Sequence, residues 1–230
     1  MTSAREHDTE RFYALLAELE QRVGGRRQLG ECHGRQVWPQ RGVYFCFEPG
    51  ETRRAAPQSR VVRIGTHALI DRSQTTLWKR LLNHRGTGSG GGNHRGSIFR
   101  QHVGFALQAR DDLSCPTWGV DPSAPSAIRQ TEEWLEQRVS QVLGATSVLW
   151  LAIDDQPGPQ SLRGEIERGS IALLSGLNEA GDAPSANWLG RHARSETIRR
   201  SGLWNISHTS EDYPPRFLDT FERLIRSQPV

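Results

Sequence analysis

The chain has 230 residues, 35% of them hydrophobic and 24% charged, with a formal net charge of +3. That length allows one sizeable domain or two small ones, and no window approaches the roughly 18 consecutive apolar residues of a membrane span. Every basic residue except Lys79 is arginine, a composition that suits paired phosphate oxygens but also follows from a GC-rich genome.

Three cysteines, Cys32, Cys46 and Cys115, form no CxxC pair and read as reduced thiols. The segment "MTSAREHDTERF" is charged where a signal peptide would be apolar, so a cytoplasmic protein is expected.

Residues 9–23 place Phe12, Leu15, Leu16, Leu19 and Val23 at helical spacing, and Gly24 and Gly25 stop the helix. "GVYFCF" (42–47) predicts a buried strand, and "RVVRIG" (60–65) a second that pairs with it across a long connection. "SQTTLWKRLLNH" predicts a helix capped by Ser73 or Thr75, with Gly86 beyond its end. A glycine-rich stretch, 86–92, separates it from a helix over 97–108.

A loop over 111–128 leads to a helix over 128–143 through Trp134, Leu135, Val139, Val142 and Leu143. "SVLWLAI" (147–153) predicts a third strand, and 161–177 a helix capped by Ser161. The chain is looser from 178 to 216. The final helix spans 215–227, with Pro215 at or near its first position. The pattern is that of one α+β domain with a small sheet.

Three features invite chemistry. Arg80 and His84 are i and i+4 and share one face of their helix. In the 161–177 helix, Leu162, Ile166, Ile171, Leu173, Leu174 and Leu177 fill one arc. Glu167 falls inside this arc, while Glu165 falls on the polar side with Arg168. A carboxylate on an apolar face needs a partner, either an arginine or a metal ion. Tyr44 is a polar group in an otherwise apolar strand.

The order of these pieces, "GVY", "RIG", "LWKRLLNH", "IERGSIALL" and "LWNI", resembles the GIY-YIG nuclease superfamily over about residues 42–206. That superfamily includes homing endonucleases, an excision-repair incision subunit and some restriction enzymes. The resemblance implies a three-stranded antiparallel or mixed sheet flanked by helices, with 1–41 and 207–230 as helical extensions of a single domain. It puts the first family tyrosine at Tyr44, the arginine at Arg80, the histidine at His84, the metal-binding glutamate at Glu167 and the asparagine at Asn205. The second family tyrosine is replaced by Arg63.

The implied activity is DNA endonuclease, double-stranded substrates favoured, with Mg²⁺ or Mn²⁺ on Glu167. It fits restriction, phage defence or repair, and a homo-oligomer would let such an enzyme cut both strands. The alternative is a nucleic-acid-binding module on the same fold with weakened catalysis, which Arg63 favours. Arg63, Arg85, His94, Arg95 and Arg100 are expected to grip phosphates, with the glycines of 86–92 forming a mobile clamp.

Overall fold

In this computed structural model, residues 3–54, 56–177 and 182–228 are described. The elements run α1 (Ala4–Arg22), β1 (Arg27–Gln28), β2 (Gly42–Phe47), β3 (Arg63–Gly65), α2 (Leu77–Arg85), α3 (Ile98–Asp111), α4 (Ser126–Ala145), β4 (Ser147–Ala152), α5 (Leu162–Leu174), α6 (Glu196–Ser201) and α7 (Phe217–Arg226).

The three expected strands are present, and the sheet has a fourth. Its order is β1-β4-β2-β3, antiparallel throughout. β1 is two residues against Val148 and Ser147, too short to leave an alternating pattern in sequence. The strand expected over 60–65 narrows to Arg63–Gly65, although Val62 still donates to the Cys46 carbonyl.

β2 is buried on both faces, and its period of two sorts its side chains into two cores. Val43, Phe45 and Phe47 join Leu149, Leu151 and residues of α1, α5 and α7. Tyr44 and Cys46 join Val148, Trp150 and residues of α2, α3, α4 and α6. The result is a helix–sheet–helix sandwich. The helices at the two ends, expected as extensions, contribute to the first core: Phe12 of α1 stacks on Phe221 of α7 at 5.3 Å, and Phe45 packs beside both.

Several local expectations shift. Thr76, not Ser73 or Thr75, caps α2 by accepting from Lys79 N, and Gly86 ends it with φ 88. Ser161 caps α5 as expected, but the helix stops at Leu174, which puts Leu177 beyond it. In α4, Leu135, Val139 and Leu143 are buried, whereas Trp134 is exposed and Glu132 and Glu136 take the inner face. α6 lies in the stretch expected to be loose, of which residues 178–181 fall outside the described residues. No described helix is long and apolar enough to cross a membrane, and all three cysteines are free and buried.

Candidate active site

Tyr44 lies opposite Gly65 in the β2–β3 register. Its ring passes directly over that glycine, where any Cβ would collide with the phenol. The glycine of "RIG" is therefore a steric requirement of the tyrosine across from it. Tyr44 is fully buried, and its hydroxyl meets His84 Nε2 at 2.7 Å. His84 Nδ1 meets Ser97 Oγ, the N-cap of α3, also at 2.7 Å. Burial holds the His84 pKa well below 6.5, and the charges of Arg63, Arg80 and Arg100 push the same way. The imidazole is neutral at neutral pH and can take a proton from one side while its other nitrogen is held.

Glu167 arrives from α5, in the opposite helical layer. Its Oε1 accepts from the backbone N–H of Thr66, just past β3, at 3.0 Å. Burial raises its pKa despite the opposing pull of Arg63, the Thr66 N–H, His208 and Arg80. The partner expected for a carboxylate on this arc is thus a main-chain amide; none of the ion pairs among the described residues includes Glu167. Glu165, expected on the open polar face, is half-buried and accepts from Thr220 Oγ1 of α7 at 3.2 Å.

Arg63 runs beneath the Phe99 ring at 4.7 Å and donates from Nη1 to the Trp204 carbonyl at 2.9 Å. Asn205 accepts from Ile64 N at 3.1 Å and donates to Ile64 O at 2.8 Å, so it braces β3. Arg63 Nε and Arg80 Nε are buried without a hydrogen-bond partner. The charges of both arginines reach Glu167 and His84. Burial and the charge of Arg63 lower His102 to about 4, and its Nε2 has no partner. The unpaired guanidinium donors of Arg63 and Arg80 suit an anionic ligand.

The GIY-YIG domain profile matches residues 3–230, nearly the whole chain. The chain belongs to the GIY-YIG family. No curated protein and no solved structure matches it.

Of the five positions that the resemblance picks out, Tyr44 and His84 touch each other, while Glu167 and Asn205 bond the backbone of Thr66 and Ile64 at β3. A residue not anticipated is Ser97; a serine two residues before Phe99 reads as an ordinary helix cap, and its sequence position carries no sign of the histidine it touches.

The expected phosphate-gripping group is largely revised. Arg100 is fully buried and donates to Glu136 Oε2, the Glu136 carbonyl, Ser140 Oγ and the His84 carbonyl. His94 is buried, binds Glu136 Oε1 through Nδ1 at 2.9 Å and stacks on Trp118 at 3.8 Å. Arg95 forms a bidentate pair with Glu132 at 2.6 and 2.8 Å. Apart from Arg95 Nε, which has no partner, these donors are already occupied within the protein. Arg85 is half-exposed, with only long contacts of 3.3 Å to the Gly30 carbonyl.

The glycine loop is likewise part of the structure. Thr87 N bonds the Gly91 carbonyl at 2.9 Å, and Gly92 lies against the Arg100 guanidinium so closely that a Cβ would collide with it.

Arg63 can be tested by restoring the family tyrosine. Arg63→Tyr removes a guanidinium and its bond to Trp204. If Arg63 holds a phosphate, activity falls and the salt dependence of binding flattens; if it only fills the place, activity holds or rises. Cleavage kinetics combined with binding over a salt titration separate the two outcomes.

Proposed function

We propose that this GIY-YIG protein is a divalent-metal-dependent endonuclease acting on double-stranded DNA. The observation that carries the reading is the short Tyr44–His84 hydrogen bond, backed by Ser97, with the charges of Arg63 and Arg80 reaching both His84 and Glu167.

Hydrolysis of a phosphodiester needs a deprotonated water, stabilisation of charge on the phosphoryl oxygens, and protonation of the leaving oxygen. In this reading, water loses its proton to the Tyr44 oxygen as the tyrosyl proton moves to His84 Nε2. The water oxygen bonds to phosphorus, the ester P–O bond breaks, and the leaving oxygen takes a proton from solvent. Ser97 accepts from Nδ1–H and so fixes the tautomer that leaves Nε2 open. Arg80 and Arg63 bind the phosphoryl oxygens. Because Tyr44 is enclosed, substrate binding must open the pocket in front of it.

Among the described residues no three His, Cys, Asp or Glu side chains are grouped to hold a metal. A hard cation keeping most of its waters and one carboxylate fits Glu167, whose hydrogen bond from the Thr66 N–H uses Oε1. When bound, such a cation supplies Lewis-acid stabilisation of the phosphoryl and leaving oxygens. Incubation with supercoiled plasmid should give nicked or linear product with Mg²⁺ or Mn²⁺ and none with chelator. Tight DNA binding without any conversion would instead favour the binding-module reading that Arg63 suggests.

Tyr44→Phe should fold normally and lower the cleavage rate by roughly 10², the scale for losing an acid–base group. The pH profile adds a second check. His84 is lowered, so it stays unprotonated as pH falls through 6.5, and no acidic limb belonging to it should appear at or above that pH. Ser97→Ala should reduce the rate, with Ser97→Thr restoring it. A wild-type rate in Tyr44→Phe would reduce Tyr44 to core packing.

A further inference from the structure

Two sets of arginines in this chain are held in opposite ways. Arg53, Arg60, Arg95, Arg100 and Arg163 are buried against carboxylates. Arg191, Arg194 and Arg199 are exposed and take part in none of the ion pairs among the described residues. All three line one cleft of about 560 Å³ between the C-terminal half of α3 and residues 191–199.

Their guanidinium groups are nonetheless held. Arg191 donates to the Ser185 and Pro184 carbonyls, each at 2.7 Å. Arg199 donates to the Ala193 and Arg194 carbonyls at 2.6 and 2.9 Å. Arg194 lies over the Phe105 ring at 5.3 Å. Carbonyl oxygens and an aromatic face fix the position of a guanidinium without cancelling its charge. One carboxylate, Asp112, lines the same cleft, so three fixed positive charges face one negative.

We propose that this cleft is a binding site for the sugar-phosphate backbone of duplex DNA flanking the cut, a contact that rests on the nuclease reading above. Fixed, uncancelled arginine forks match phosphate oxygens, and an open cleft admits a polymer. Distance supports a flank contact. α3 begins beside Ser97, which touches His84, and its other end, Asp111, adjoins Asp112 and Leu113 in the cleft wall. At about 1.5 Å per residue its length is roughly 20 Å, or about six base pairs of duplex at about 3.4 Å each. A duplex lying along α3 would meet the cleft about half a helical turn from His84.

The test is fluorescence anisotropy of a labelled duplex of about 24 base pairs, in chelator and across a salt titration. Arg191→Gln/Arg194→Gln/Arg199→Gln should bind about tenfold or more weakly than the parent protein, with a log–log salt slope shallower by about three. Arg194→Gln alone, which breaks no hydrogen bond, should flatten the slope by about one and keeps the test decisive if the triple variant unfolds. Trimming the duplex to fewer than about six base pairs on both sides of the cut should erase the difference between variant and parent.

Equal affinity and equal slope in parent and variants, with the parent binding DNA, would overturn the cleft and leave the nuclease reading intact. A parent protein that binds no duplex at low salt would overturn both.

Discussion

Replacing Glu167 with glutamine should lower metal-dependent cleavage by roughly 10² or more while leaving duplex affinity close to that of the parent protein. The substitution keeps the shape and an oxygen for the Thr66 N–H, so the bond that joins α5 to the end of β3 survives. What it removes is the negative charge that the proposed cation would need, within reach of the charges of Arg63 and Arg80. A group that acts on the transition state affects rate more than ground-state binding. Glu165→Gln is the control: that side chain faces Thr220 on α7, and the change should leave the rate unaltered. Plasmid cleavage with anisotropy on the same preparations reads both quantities. Exchange of the two effects would mean that α5 presents the other glutamate to the substrate.

The largest effect on stability is expected from Arg100→Met, at about 3–5 kcal/mol in chemical denaturation. Arg100 is fully buried and ties α3 to α4 through Glu136 and Ser140, and to the end of α2 through the His84 carbonyl. Burial pushes the Glu136 pKa up, but the His94 hydrogen bond and the Arg100 charge outweigh it and keep the carboxylate ionised. Methionine preserves the apolar stem and leaves that carboxylate short of its main counter-charge. Arg100→Met/Glu136→Met should be more stable than the sum of the single losses predicts, because neither partner is then stranded. A loss below about 1 kcal/mol in the single variant would show that the pair contributes little beyond packing.

The site was more legible than its supports. Local geometry marks Tyr44, Arg80, His84 and Glu167 as unusual, by a polar group in an apolar strand, an i, i+4 step and a charge inside an apolar helical arc, and the resemblance assigns them to one site. His94, Arg95 and Arg100, expected as phosphate contacts, have partners within the protein, Glu132 and Glu136, that lie 36 to 42 residues further along the chain and so leave no local signal. On α4 those glutamates look like a solvated face, and Trp134 looks like core; the buried arginine and histidine of α3 and the loop before it reverse the assignment.

The glycines of 86–92 also have a structural use that the sequence does not show. Their freedom suggested a moving clamp, whereas at Gly92 the missing side chain makes room for a guanidinium. Pairing in three dimensions, rather than local propensity, decided these residues.

Asn205 has a consequence outside the chemistry. β3 is the last strand of the sheet on its side, and the outward N–H and C=O of Ile64 are both taken by this one amide. Trp204 N extends the arrangement by bonding the Val62 carbonyl at 2.8 Å. Two residues thus do for the open edge what a further strand would, and deny it to another chain. Asn205→Ala would unmask a template for intermolecular strand addition, so the protein would be lost to aggregation during expression, and missing activity in that variant would report solubility rather than turnover.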